Sequence, residues 1–257
     1  MWSSKLTDLY PRTPLILAHR GASADAPENT LAAFRLAQLQ GADGIELDVT
    51  LTADGAVVVI HDDTLDRTTS GQGPVSCLTL AEIQAFEAGY PARFGGRFAG
   101  QHVPTLFEVF EAGGERAVLN IELKHDRSSG RQLARRVVEV IHAHGCQQRV
   151  LLSSFQFSSL GRVKAIDPKL PVALLYMTPA FGPRLASCLA GRLPHEAHHP
   201  AAHGLSASDI NWCHQQGLRV NAWTVDEETE LRRLALAGVD GLITNRPQLA
   251  VSVRASL

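Results

Sequence analysis

Short apolar segments that end on polar residues alternate with amphipathic helical segments along most of this chain. Segments 14–18, 117–124 and 241–244 are predicted to be buried strands, while 131–144 and 227–237 have apolar residues at helical spacing. Repeated alternation of this kind favours an α/β protein with parallel strands, because each crossover helix returns the chain to the same end of the sheet. About eight strands are expected.

Charged, imidazole and aromatic side chains occupy the ends of predicted strands, among them 14–18, 44–49, 117–124 and 218–223. They are His19, Arg20, Glu46, Asp48, Glu122, Lys124 and Trp223. In a (β/α)8 barrel the C-terminal ends of all strands meet at one mouth, whereas a doubly wound sheet would spread these residues more widely. The 257-residue length also suits one barrel. We therefore predict an α/β fold, a (β/α)8 TIM barrel forming a single domain over 1–257, with an irregular insertion at 64–105 as a lid or rim.

The segment 44–49 alternates strictly, so that Glu46 and Asp48 share one face of a strand. Two neighbouring carboxylates repel each other, so either one of them stays protonated, or both face water on an edge strand, or a cation lies between them. Acidic residues are depleted in strands, which favours the cation. Together with Glu122 they offer the oxygen ligands that Mg²⁺ or Ca²⁺ prefers.

Basic and imidazole groups at the same mouth suggest phosphate chemistry. Arg20 and Lys124 are placed to hold a phosphate that also contacts the metal. Hydrolysis of a phosphodiester needs one group that accepts a proton and one that donates a proton, and His19 and His61 are the candidates. For either histidine taken alone, a structural hydrogen-bonding role is the competing interpretation.

An ordered set of motifs resembles the glycerophosphodiester phosphodiesterase family, within the phospholipase C-like phosphodiesterase superfamily. The motifs are His19-Arg20-Gly21-Ala22, Pro27-Glu28-Asn29-Thr30, Gly44-Ile45-Glu46-Leu47-Asp48-Val49, His61-Asp62, Glu122-Leu123-Lys124 and Thr244-Asn245-Arg246-Pro247. The resemblance implies a barrel that hydrolyses glycerophosphodiesters, such as glycerophosphocholine or glycerophosphoethanolamine, to glycerol 3-phosphate and an alcohol with a divalent metal. It also implies that 63–108 is a small insertion after the second strand.

The same resemblance implies roles for individual residues. It makes His19 and His61 the acid/base pair, and it makes Glu46, Asp48 and Glu122 the metal ligands. It places Arg20 and Lys124 at the phosphate and Trp223 against the glycerol or the leaving group, where core packing is the competing role. It gives Glu28 and Asn29 supporting positions.

The segment 178–203 has no clear period, although it carries four histidines. His199-Pro200 resembles a strand-end element of the family. We expect the other three, His195, His198 and His203, to face solvent. Their spacing does not favour a second metal site.

Composition narrows the partners and the location. The net charge of -2 and the lack of a polybasic face predict neither nucleic acid nor stable membrane association. The four cysteines form no CxxC pair, and no signal core or membrane span is predicted, so we expect a cytoplasmic protein with reduced thiols. The sequence makes no prediction of the oligomeric state. Two rival functions are a lysophospholipase D-type enzyme that acts on lipids and a non-catalytic barrel that binds a phosphorylated ligand.

Overall fold

Eight parallel strands close into a barrel in the computed structural model, which describes residues 9–112, 117–124, 130–177 and 182–257. Strand β1 (Leu15–His19) pairs in parallel with both β2 (Gly44–Leu51) and β9 (Gly241–Thr244), which closes the ring. Strand β3 (Val57–Val59) pairs antiparallel with β2 outside it. The strands are β1 Leu15–His19, β2 Gly44–Leu51, β3 Val57–Val59, β4 Val118–Leu123, β5 Val150–Ser154, β6 Val172–Tyr176, β7 Ala197–Pro200, β8 Arg219–Ala222 and β9 Gly241–Thr244. The predicted (β/α)8 barrel is confirmed.

Helices lie between the barrel strands, and most of them cover the barrel. They are α1 Leu31–Leu39, α2 Leu80–Gln84, α3 Pro91–Phe94, α4 Leu106–Ala112, α5 Gly130–Ala143, α6 Phe157–Ile166, α7 Pro183–Ala190, α8 Ala207–Gln215, α9 Glu228–Leu236 and α10 Pro247–Ala255. Side-chain caps fix where several begin: Thr30 accepts a hydrogen bond from the backbone of Ala33, and Ser206 forms a capping box with Asp209.

The two faces of each strand pack in different environments. On β2, Ile45, Leu47 and Val49 point outward into the main core between sheet and helices. The intervening residues point into the barrel, where Leu17 and Tyr10 belong to a separate interior cluster. Glu46 and Asp48 are therefore inside the barrel, as their alternation predicts.

An insertion separates β3 from α4. We use this term for residues 60–105, which contain 3₁₀ turns at Val75–Cys77 and Gly95–Phe98 and the short helices α2 and α3. Its own apolar cluster includes Leu65 and Ile83. The division of the chain into one domain with an insertion at 63–108 stays a prediction.

The histidine-rich segment contains elements that the sequence did not reveal. Residues 178–181 lie outside the described residues, and the rest contributes α7 and the fully buried strand β7. His203 is exposed and His195 half-buried, but the expectation of solvent exposure is wrong for His198, which is completely buried. Its ring nitrogens lie 3.0 Å from the hydroxyl of Tyr176 and 3.1 Å from that of Ser187, so that partners distant in sequence satisfy its polar atoms.

In the described part of the chain, no helix has both the length and the apolar character needed to cross a membrane. All four cysteines are free, and Cys146 and Cys213 are buried.

Candidate active site

Three carboxylates converge inside the mouth of the barrel. Glu46 and Asp48 come from β2 and Glu122 from β4, and the strand register pairs Asp48 with Glu122. Their side chains are buried, with residue exposures of 3%, 0% and 9%. One oxygen from each lies within 4.8 Å of the others. This spacing suits three oxygens around one hard cation.

Burial and neighbouring charges shift the pKa values of all three carboxyl groups. Burial, followed by the charges of Asp48 and Glu122, raises the pKa of Glu46 well above its usual range. Burial and Asp48 raise the pKa of Glu122 to about 7. Burial also opposes ionisation of Asp48, but the nearby positive charges of Lys124 and Arg20 outweigh it and lower its pKa to about 2.

One carboxylate oxygen identifies where a cation fits. Oδ1 of Asp48 is buried and accepts no hydrogen bond from the described residues. Its nearest ion-pair partner is Nζ of Lys124, 3.5 Å away. Buried acceptors normally have partners, so this oxygen and its two acidic neighbours suit a divalent metal.

His19 ends β1 beside the carboxylates, opposite Glu46 in the strand register. Its Nδ1 lies 2.7 Å from Oδ1 of Asn245, which can only accept a hydrogen bond, so Nδ1 carries the proton. Nε2 then faces the site, 3.9 Å from Oε2 of Glu46. Burial, and then the charge of Arg20, lowers the pKa of His19, which favours a neutral ring.

His61 follows β3, which the hairpin folds back beside β2. Its Nδ1 donates to Oδ1 of Asp62 at 2.6 Å. A carboxylate orients this ring where an amide orients His19. In both histidines Nε2 is left as the nitrogen that can exchange a proton with a ligand.

Two cations border the carboxylates. Arg20 has φ 55° and precedes Gly21 at φ 85°, so the chain turns sharply after β1. A side chain on Gly21 would lie 2.7 Å from the backbone of Ala33, so the turn requires glycine. Nε of Arg20 lies 3.2 Å from Oδ2 of Asp48, and Nζ of Lys124 lies 3.0 Å from Oε1 of Glu122.

The two predicted supporting residues contact this site directly. Asn29 donates from Nδ2 to Oδ2 of Asp48 at 2.8 Å, with its own backbone in the left-handed region at φ 57°. Glu28 accepts from Nη1 of Arg20 at 2.8 Å. The loop that precedes α1 therefore orients a carboxylate and a guanidinium.

Aromatic side chains border the open part of the mouth. Trp223 follows β8 and donates from Nε1 to the carbonyl of His199 at 2.7 Å. Its ring packs edge to face against that of Phe155, with 5.5 Å between the ring centroids, and Phe155 is 48% exposed. Both border a cavity of about 60 Å³ above the carboxylates, and a cleft of about 440 Å³ lies beside it. His61, Glu122, Lys124 and Phe155 line both spaces.

Comparison with known proteins assigns the chain to a family. Residues 19–249 match the model of the glycerophosphoryl diester phosphodiesterase family. The chain belongs to this family. A glycerophosphodiester phosphodiesterase from Caldanaerobacter subterraneus subsp. tengcongensis is 41% identical over 240 residues, covering 93% of this chain and 97% of the relative. This chain is therefore an enzyme, a phosphoric diester hydrolase.

Solved structures agree with this phosphodiesterase assignment. An Oleispira antarctica phosphodiesterase in complex with the product sn-glycerol-3-phosphate superimposes with a TM-score of 0.88 at 32% identity, covering 98% of this chain and 100% of the other. A glycerophosphodiester phosphodiesterase from Agrobacterium tumefaciens has a TM-score of 0.76 at 31% identity, with 92% and 98% covered.

The residues that the sequence predicted for the site lie close together in the structure, but the sequence did not predict their hydrogen-bond partners. Every site residue predicted from the sequence lies at the mouth. The motifs contained Asn245 and Asp62 without indicating what they contact. Asn245 directly follows β9, and Asp62 directly follows His61. Asp226 accepts from Nδ2 of Asn245 at 2.5 Å, and Arg67 binds Asp62. Neither Asp226 nor Arg67 carried a periodic signal.

Proposed function

We propose that this chain hydrolyses glycerophosphodiesters such as glycerophosphocholine and glycerophosphoethanolamine to glycerol 3-phosphate and the free alcohol, in a metal-dependent reaction. One observation carries this proposal: His19 and His61 both donate from Nδ1 to a fixed acceptor and so leave Nε2 available beside three buried carboxylates. Such an arrangement supplies one group to accept a proton from the attacking oxygen and one to protonate the departing alkoxide.

Glu46, Asp48 and Glu122 would hold the divalent ion, Mg²⁺ or Ca²⁺. When bound, the ion supplies positive charge that offsets the negative charge of the phosphate. Arg20 and Lys124 bind the phosphate oxygens from the same side, because their cationic groups already border Asp48.

Trp223 positions the organic part of the substrate. Its indole nitrogen is fixed on the carbonyl of His199 and its ring rests against Phe155, so it presents a rigid apolar wall to the cavity. Glu28 and Asn29 keep Arg20 and Asp48 in their orientations. The substrate is a small molecule, and a cytoplasmic location stays a prediction.

A coupled assay tests the proposal. Purified protein with Mg²⁺ or Ca²⁺ is given glycerophosphocholine or glycerophosphoethanolamine, and release of glycerol 3-phosphate is followed with a dehydrogenase. We expect turnover that disappears in EDTA. Lysophosphatidylcholine serves as the comparison substrate, and hydrolysis of this lipid in place of both water-soluble diesters would favour the lysophospholipase D alternative.

A further inference from the structure

We propose that Arg67, in the insertion, is a positioning residue that orients His61 and Arg20 together for hydrolysis. The proposal rests on the proposed function of these two residues. Arg67 lies outside the motifs on which the family resemblance rests and does not line either space at the mouth. It acts through the carboxylates between it and the site.

The guanidinium of Arg67 binds two carboxylates, each through two hydrogen bonds. Nη1 and Nη2 donate to the two oxygens of Glu28 at 2.7 and 2.8 Å. Nε and Nη2 donate to the two oxygens of Asp62 at 2.6 and 3.0 Å. Three nitrogens thus fix two acidic side chains from different parts of the chain. Only a planar, forked cation can do so, and a lysine ammonium cannot reproduce this geometry.

Both carboxylates continue into the site. Asp62 accepts from Nδ1 of His61 at 2.6 Å, and Glu28 accepts from Nη1 of Arg20 at 2.8 Å. The result is an unbroken chain of contacts that runs from His61 through Arg67 to Arg20. It ends at Asp48, which lies 3.2 Å from Nε of Arg20.

Two features distinguish Arg67 from an ordinary surface ion pair. An isolated, exposed ion pair contributes little to stability, and the Arg67 side chain is 39% exposed. The Glu28 side chain, however, is only 9% exposed, and its carboxylate binds both Arg20 and Arg67. The ring of Tyr90, also in the insertion, lies 5.8 Å from the guanidinium carbon. Arg67 therefore links the insertion to the barrel at the point where the proton-transfer and phosphate-binding groups need fixed orientations.

Kinetics of three variants test this proposal with glycerophosphocholine as substrate. Arg67→Met keeps the length of the side chain but removes all its donors, and we expect kcat to fall about tenfold to a hundredfold. Arg67→Lys keeps the charge, and its kcat should remain at least about fivefold below that of the native protein because one ammonium cannot bind four oxygens. The matched control is Arg97→Met: Arg97 lies in the insertion, 5.1 Å above the ring of Phe98, and has no place in the chain of contacts.

A double-mutant cycle separates positioning from general destabilisation. Because part of the effect of Arg67 acts through His61, adding Arg67→Met to His61→Ala should lower kcat by a clearly smaller factor than Arg67→Met does in the native protein. If the double variant lost kcat by the product of the two single-variant factors, the proposal would be overturned. Native-like kcat and KM in Arg67→Met would overturn it as well.

A measurement without turnover keeps the proposal separate from the proposed function. Nitrogen-15 NMR of the native protein should show a slowly exchanging proton on Nδ1 of His61, and Arg67→Lys should speed its exchange while the backbone amide spectrum outside the mouth is retained. An unchanged Nδ1 signal would overturn the positioning role. Absence of turnover in the native protein with every diester would instead refute the proposed function, and the NMR result would still decide the role of Arg67.

Discussion

Nδ1 of His19 donates to Oδ1 of Asn245 across 226 positions of sequence, at 2.7 Å. Asn245 is itself fixed, because its Nδ2 donates to Asp226 at 2.5 Å and its Oδ1 also accepts from the hydroxyl of Ser23 at 2.6 Å. The amide cannot rotate without losing these bonds. Closure of the barrel between β1 and β9 therefore determines which nitrogen of His19 faces the carboxylates.

Asn245→Ala should lower kcat about tenfold to a hundredfold. Without the acceptor, the His19 ring can rotate and its proton is no longer held on Nδ1. KM should change much less, because Asn245 does not line the cavity or the cleft. Steady-state kinetics on glycerophosphocholine measure this split. Gln248→Ala, an exposed position on α10, is the control. Equal kcat values in the two variants would show that Asn245 has no such role.

His19→Ala and His61→Ala should each lower kcat by about a hundredfold or more, because each removes one proton-transfer group. Circular dichroism and the unfolding midpoint should confirm an intact fold. His203→Ala, at an exposed histidine, should leave kcat unchanged. Near-normal turnover in either site variant would remove that histidine from the mechanism.

The sequence predicted those parts of the site that are encoded locally. Strict alternation placed Glu46 and Asp48 on one face, and the barrel then turned that face inward. Strand–helix alternation predicted parallel strands with crossover helices, and the polar residues at the strand ends favoured a barrel over a doubly wound sheet. Their positions at the end of a predicted strand were enough to place Glu122 and Lys124 at the same mouth, although the sequence did not indicate their contacts.

Features that depend on distant partners could not be predicted. Burial of His198 depends on Tyr176 and Ser187, which contribute polar atoms that no local pattern indicates. Arg67 lies in an insertion without periodicity, where its two carboxylate partners come from separate loops. Hydrogen-bond geometry across a barrel is a property of tertiary packing, whereas a sequence pattern reports only the spacing along one element.

Metal removal should abolish activity, and Mg²⁺ or Ca²⁺ should restore it. The metal should also raise the unfolding midpoint, because it binds the folded carboxylate cluster and not the unfolded chain. Burial raises the pKa of Glu122 to about 7 and that of Glu46 well above its usual range, so metal must displace protons at pH 6.5 and affinity should rise with pH.

Calorimetry in two buffers of different ionisation enthalpy measures the number of protons released by the metal. Asp48→Asn should weaken binding by at least about tenfold. Glu139→Gln, on the exposed face of α5, is the control. Full activity in excess EDTA, or unchanged metal affinity in Asp48→Asn, would contradict the proposed ligand set.

Acid should destabilise the fold through its buried histidines. Burial lowers the pKa of His198 and of His199 to about 3. Between pH 6.5 and 3 the unfolded chain therefore binds more protons than the folded one, so stability is complete above pH 6.5 and is lost as the pH falls towards 3. For His198 the loss is about 2 kcal/mol at pH 5.

Urea unfolding at pH 7.5 and pH 5 measures this loss, and substitution of one histidine isolates its share. His198→Gln should reduce the difference in unfolding free energy between the two pH values by about 2 kcal/mol, even though the variant is less stable at pH 7.5 because its contact with Tyr176 changes. His203→Gln, at an exposed position, is the matched control. The same pH dependence in both variants would mean that His198 becomes protonated in the folded barrel, so its burial would not exclude the charged form.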